Sequence, residues 1–244
     1  MAESRWRISK RIGKFTGDRR AILLLLLLAM ALGGRVWLAG HPQHNPWAPL
    51  DLNDPLGWAT EAKLLALRDD VPKCRAVLQR SEISFSALAP AGEGACGRPD
   101  RTRLDAYPLS PDRPPTTCPM AIALELSRRN FIEPAARQLF DSRLERIEHL
   151  GAYSCRRLYG RSSGRWSEHA TGNALDITAF VLEDGTRISV LRDWNDGTDK
   201  QEFLRRVREG ACRSFATVLS PDYNEAHRDH LHFDMSPRRS GLCR

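Results

Sequence analysis

Among the six cysteines of this 244-residue chain (Cys74, Cys96, Cys118, Cys155, Cys212 and Cys243), no two form a Cys-x-x-Cys pair. That absence argues against a thiolate zinc site and against a thioredoxin-like redox motif. There is no internal repeat, so a solenoid or propeller is excluded. Apart from one leucine run there is no low-complexity tract. The chain also lacks a concentrated basic face. Its formal charge is +7, but residues 1–20 hold Arg5, Arg7, Lys10, Arg11, Lys14, Arg19 and Arg20 against Glu3 and Asp18. Only about two net charges remain for the other 224 residues, and aromatic residues are not interleaved with the surplus, so nucleic acid is not the expected partner.

What is present begins with that basic block. It is followed by Ala21, Ile22, six leucines and Ala29–Leu32. Basic residues ahead of an apolar run indicate export with the N-terminus left in the cytoplasm. The unbroken run of twelve residues is short enough for a signal-peptide core. Extended to Ala39 it is long enough to span, with Arg35 snorkelling to the outer interface. Val36, Trp37 and Leu38 make a poor cleavage site, so an uncleaved inner-membrane anchor over 21–39 is favoured over a cleaved signal. A basic cytoplasmic tail (1–20) precedes it and a Pro-rich linker (40–57) follows, with His41 and His44 read as solvated linker histidines. All six cysteines then lie on the periplasmic side, where an even count predicts up to three disulfides. Fifteen pairings are possible. Proximity in sequence favours Cys74–Cys96 and Cys212–Cys243.

Residues 58–244 read as one α+β domain, with flanking helices and a small, mostly antiparallel sheet. Helices are expected at Trp58–Arg68, within Cys74–Leu88, from Pro119 to about Arg129 with one apolar face, from Ala135 to Arg143, and over Lys200–Cys212, with Gly210 helping to end the last. Strands are expected at Ile83–Leu88, Ile147–Cys155 and Leu231–Met235. Asp184-Gly185 marks a hairpin between Ile177–Leu182 and Arg187–Val190. Ala89–Asp100 and Tyr107–Pro119 read as loops tied down by Cys96 and Cys118.

The chemistry lies in Ser167–Asp176 and in His230-Leu231-His232. His169, Asp176 and the His-x-His supply a carboxylate and up to three imidazoles, the ligand types of a catalytic zinc site with an open position. On a helix, residues seven apart are about 10 Å apart along the axis. His169 and Asp176 can therefore share an ion only if the chain bends, and Gly172-Asn173 is a bend signal. In a strand, His230 and His232 share a face. One can bind metal while the other stands over the open position, with His227 at the strand entrance. With His227 counted beside these two segments, four of the seven histidines are gathered here.

The pattern Ser167-x-His169-x-x-Gly172-x-Ala174-x-Asp176 with His230-x-His232 resembles a group of zinc peptidases. That group includes lysostaphin-type enzymes, D-Ala-D-Ala dipeptidases and carboxypeptidases, and the hedgehog N-terminal domain. Tyr153-Ser154-Cys155-Arg156 together with Ser167–Asp176 is more similar still to the bacterial extensin-like C-terminal domain, over about residues 60–243. The resemblance implies a hedgehog/D-Ala-D-Ala peptidase-like fold, with His169, Asp176 and His232 as ligands of Zn2+. It makes His230 the base or oxyanion stabiliser. His227, His230 and His232 together also resemble the penicillin-insensitive murein endopeptidases. Arg156 stands where related enzymes bind a peptide carboxylate or orient the scissile carbonyl, and Ser167 is placed to hydrogen-bond substrate. The dipeptidase branch has a glutamate three residues before its last ligand. Asp229 stands there in this chain, so no carboxylate base is assigned.

These readings lead to a zinc-dependent peptidase acting on D-amino-acid peptides of peptidoglycan, as endopeptidase or carboxypeptidase. The alternative is a non-catalytic, metal-containing module that binds the cell wall or a partner. A membrane-bound nuclease with the same ligands fares worse for want of a basic face.

Overall fold

The computed structural model describes residues 15–237 and 241–244. Most of the basic N-terminal block, residues 1–14, lies outside the described residues. Helix α1, Thr16–Gly40, contains an 18-residue stretch of mean hydropathy 2.2, has no residue buried against the rest of the chain, and is long enough to cross a membrane. The proline-rich stretch after it is more ordered than a linker. Pro42–His44 form a 3-10 turn, and Leu50 and Leu52 are buried in the core.

The domain opens with α2 (Thr60–Ala66) and α3 (Val71–Arg80), then strands β1 (Phe85–Ala87) and β2 (Thr102–Leu104), which pair antiparallel. Asp70 caps α3 by accepting from Lys73 N. Strand β3 (Leu109–Ser110) lies inside the stretch expected to be loop. Helix α4 (Cys118–Ser127) corrects the expectation of a single apolar face, because all ten of its residues are buried. A helix can be enclosed in this way only if its one charge is neutralised. Glu125 is held 2.7 Å from Arg128 Nη2 and 2.5 Å from Arg129 Nε, both on the π-turn Arg128–Ile132 that follows. Helix α5 spans Glu133–Phe140.

The main sheet contains β4 (Leu144–His149), β5 (Ala174–Leu182), β6 (Arg187–Ser189), β7 (Thr217–Leu219), β8 (Leu231–Asp234) and β9 (Leu242–Cys243). Its order is β3-β4-β5-β8-β7-β9, with β6 also on β5. The β3–β4 and β7–β9 pairs are parallel and the rest antiparallel. The mixed α and β character, the mostly antiparallel sheet and the β5–β6 hairpin are thus as expected. The strand expected at Ile147–Cys155 begins and ends earlier, because the chain leaves the sheet at Gly151, whose φ is +104°. A short helix α6 (Val190–Asp193) leads to α7 (Asp199–Ala211). Phe203 of α7 meets Phe180 of β5 edge-on at 5.2 Å, closing the core between helix and sheet. Gly210 does not end α7. It lies in the last turn, where a Cβ would fall 2.1 Å from the Phe131 ring.

The disulfides are Cys74–Cys118, Cys96–Cys155 and Cys212–Cys243. The last is as expected. The proposed Cys74–Cys96 pair is not formed. Cys74 instead ties α3 to the start of α4, and Cys96 ties its loop to the segment beside the histidine cluster.

Candidate metal centre

The motif Ser167–Asp176 folds into a turn and a strand. Ser167 Oγ accepts from His169 N at 3.3 Å and caps the 3-10 turn Glu168–Thr171. Gly172 ends that turn in the left-handed region, φ +72°, a conformation that glycine adopts without steric cost. Two residues later β5 begins. The bend expected at Gly172-Asn173 is therefore present, and it turns His169 back over Asp176.

Across the sheet, Asp176 on β5 is in register with His232 on β8. Asp176 Oδ1 lies 2.8 Å from His232 Nδ1, Asp176 Oδ2 lies 3.2 Å from His169 Nε2, and the two imidazole nitrogens are 3.2 Å apart. The three side chains converge as one group able to hold a metal ion.

The far side of each ring is also engaged. His169 Nδ1 lies 3.2 Å from the Ala152 carbonyl, and His232 Nε2 lies 3.0 Å from Asp234 Oδ2. A carbonyl and a carboxylate accept, so in the neutral rings these nitrogens carry the hydrogens. That leaves His169 Nε2 and His232 Nδ1 as bare lone pairs facing the Asp176 carboxylate. Three electron-rich atoms this close repel unless a cation or a proton lies among them. Imidazoles held by outer hydrogen bonds are the usual supports of a metal ligand set, and two His with one carboxylate suit zinc with an open position. The residues therefore fit the ion.

With no ion bound, a proton answers the same demand. Burial opposes charge on His232, but hydrogen bonds and charge from Asp176 and Asp234 outweigh it and raise its pKa to about 9. Burial likewise opposes ionisation of Asp176, yet hydrogen bonds from His169 and His232 hold it far below the usual carboxylate range. Glu168 goes the other way. Burial pushes its carboxyl up, although Asn173 Nδ2 donates to it at 2.7 Å.

All four residues given roles beyond ligation border the same cleft. His230 Nε2 is 3.6 Å from Asp176 Oδ1, while its Nδ1 is 2.9 Å from Asp229 Oδ1. Asp229, left without a role by the comparison with dipeptidases, thus orients His230. His227 lies between Tyr223 and His230, edge-on to the first and tilted against the second, with ring centroids 5.4 and 5.2 Å away. Its Nδ1 lies 2.7 Å from Asn224 Oδ1. Burial, with the neighbouring His230 and His232, lowers its pKa to about 4, so it is neutral at physiological pH. Ser167 is buried and holds the turn that carries His169. Arg156 is exposed at the cleft mouth, next to Cys155 of the Cys96–Cys155 bridge. That bridge also steadies Ala152 and Ser154, whose backbones bond His169 Nδ1 and the His169 carbonyl.

Sequence reasoning missed Asp234 and Arg165, which also border the cleft. Asp234 was within reach of strand alternation, being two residues beyond His232 and so on its face. Arg165 carried no such signal, since a loop between Arg156 and Ser167 has no period.

A family model described as the extensin-like protein C-terminus matches residues 72–244. The chain belongs to that family. The match spans every strand of this extensin-like domain from β1 onward and the whole histidine cluster, and it starts one residue into α3. Searches of curated proteins and of solved structures gave no match.

Proposed function

We propose that this extensin-like domain is a zinc-dependent peptidase that cleaves D-amino-acid-containing peptides of peptidoglycan. The reading rests on the convergence of His169, Asp176 and His232, with the outer nitrogen of each imidazole already bonded. The likeness of these motifs to the zinc peptidases supports it. Zinc held by the three supplies Lewis acidity and an acidified water, giving a nucleophile near neutral pH.

The chain's own residues supply positioning and proton transfer. Asp229 accepts a hydrogen bond from His230 Nδ1–H, so His230 Nε2 offers a lone pair to the cleft. It accepts a proton from the attacking water and returns it to the amine released when the peptide bond breaks. His227, neutral and fixed by Asn224, fills the space behind His230 and keeps that ring in place. Arg156 and Arg165 line the cleft, and paired arginines suit a substrate that carries carboxylates, as stem peptides do.

The setting follows from the same features. Helix α1 serves as an uncleaved single-pass anchor in the inner membrane, and the three disulfides suit a periplasmic domain. Mass spectrometry of muropeptides after incubation with zinc-loaded protein tests the proposal. New products must appear with the wild type and vanish with His169→Ala. Sacculi that are bound normally but left unchanged by the wild type reject peptidase action and assign the domain to wall recognition.

A further inference from the structure

The outer end of the apolar helix is built into the domain rather than joined to it by a free tether. Trp37, in the last turn of α1, stacks on His41 and His44, with ring centroids 4.5 and 5.4 Å away. It also meets Trp58 at 5.6 Å. Trp58 is fixed in turn, since its backbone N donates to His44 Nδ1 at 3.3 Å and its Nε1 to the His44 carbonyl at 2.5 Å. Ala59 N donates to the Gln43 carbonyl, and Lys63 Nζ to the Pro42 carbonyl at 2.6 Å. Gly57 passes so close that a Cβ there would sit 2.2 Å from Gln43 O. The chain then enters the core through Leu50 and Leu52, where Leu52 N donates to Ser81 Oγ at 2.9 Å.

This elbow fixes a depth. A span of about 20 residues starting at Ala21, just after Arg19 and Arg20, ends near Gly40. Trp37 then stands at the headgroup level, where tryptophan is enriched because its ring is apolar and its N–H polar. Trp58 packs on Trp37, so it must lie at nearly the same level, although it belongs to the folded domain. Yet Trp58 is 71% exposed, and Trp47 in the same elbow is 82% exposed. Large apolar rings left open beside a membrane-crossing helix call for an apolar cover, and the bilayer that holds α1 is already there.

We propose that Trp58, with Trp37 and Trp47, forms an interfacial seat that rests the folded domain on the outer headgroup layer of the same membrane. The domain is then held against the bilayer at a set orientation instead of swinging on a linker. The inference takes α1 as an uncleaved span but is independent of the metal site and its chemistry.

The test uses the full chain in phosphatidylethanolamine–phosphatidylglycerol vesicles, with lipids brominated either near the headgroup or deep in the acyl chains. Tryptophan emission is expected to be quenched more by the shallow label. Trp58→Phe and Trp47→Phe should each remove part of that shallow-quenched emission, whereas Trp166→Phe, at the metal cleft, should not. Circular dichroism of each variant checks that the fold is kept. Equal shallow quenching before and after both elbow substitutions overturns the seat. So does an equal loss with Trp166→Phe, which would mean diffuse adsorption. A mature N-terminus beyond Trp37, read by intact mass, overturns the span on which it rests. Elbow tryptophans shielded from the label only at concentrations where the protein dimerises would assign the patch to a second copy, and that too overturns the proposal.

Discussion

Asp176 and His232 face each other in register across β5 and β8, with Oδ1 and Nδ1 2.8 Å apart. Sheet pairing, not loop flexibility, therefore sets half of the geometry of the candidate metal site. His169 is brought to the pair by the capped turn that ends at Gly172. Asp176→Asn keeps the shape and removes the charge, while His169→Ala removes a lone pair. Each is expected to reduce bound zinc from about one per chain to a small fraction, as equilibrium dialysis with metal analysis would show. Retention of stoichiometric zinc by both would exclude this cluster as the metal centre.

The same pair gives the metal-free protein a defined pH dependence. His232 has a folded pKa raised to about 9, against about 6.5 when unfolded. Its contribution is fully present below about 6.5 and is lost as pH rises through about 9. Asp176 is depressed, so its contribution is present above about 3.9, its unfolded pKa, and is lost as pH falls further. Chelator-treated protein should therefore have a Tm that declines between about pH 7 and 10. Under the zinc reading the ion replaces the proton, so loaded protein should lose this alkaline decline. Parallel Tm–pH curves with and without zinc would count against a proton and an ion sharing the site.

Much of this centre is readable in the sequence because its ligands sit in two short segments whose spacing has geometric meaning. A spacing of seven, with a glycine between His169 and Asp176, requires a bend if the two share an ion, and His-x-His gives one face of a strand. The rest depends on distant packing. The sulfur of Cys96 meets Cys155 across 59 positions, which no local pattern encodes, and proximity pointed instead to Cys74. The enclosure of α4 on all sides depends on Arg128 and Arg129 reaching back to Glu125, a contact that apolar periodicity does not report. Strands β7 and β9, of three and two residues, are too short to show alternation.

Asp229 acts through His230. Asp229→Asn keeps a partner for the ring but removes the charge that favours protonated His230. Under the peptidase reading, kcat should fall about 10–100-fold, the usual cost of losing such an orienting partner. KM should stay nearly constant, because no substrate contact is lost, and the pH–rate profile should shift. A change in KM alone, with kcat intact, would mean that Asp229 binds substrate instead.

Arg165 lines the cleft but has no place in the ligand set, so its expected effect is on binding. Arg165→Gln should raise KM for a stem peptide with free carboxylates by about tenfold, the equivalent of one charge-assisted hydrogen bond of about 1.5 kcal/mol. The same substitution should leave KM unchanged for the amidated peptide. Equal effects on both peptides would show that Arg165 shapes the loop rather than reads the substrate's charge.

The Cys96–Cys155 bridge is expected to hold the metal site as well as the fold. It closes a loop of 59 positions, so chain entropy alone assigns it roughly 4 kcal/mol. More specifically, it anchors the segment whose Ala152 carbonyl holds His169 Nδ1 and whose Ser154 N bonds the His169 carbonyl. The double variant Cys96→Ser/Cys155→Ser should therefore lose stability and also bind zinc about tenfold more weakly, since the His169 ring is freer to turn. The variant Cys212→Ser/Cys243→Ser is the control. That bridge joins the end of α7 to the edge strand β9 and touches none of the ligands, so its loss should lower Tm while zinc affinity is kept. Calorimetry and competitive zinc titration on both variants separate the two roles. Equal loss of affinity in both would mean that the metal site responds only to global stability, and a kept affinity in the first would show that His169 is held by its own turn alone.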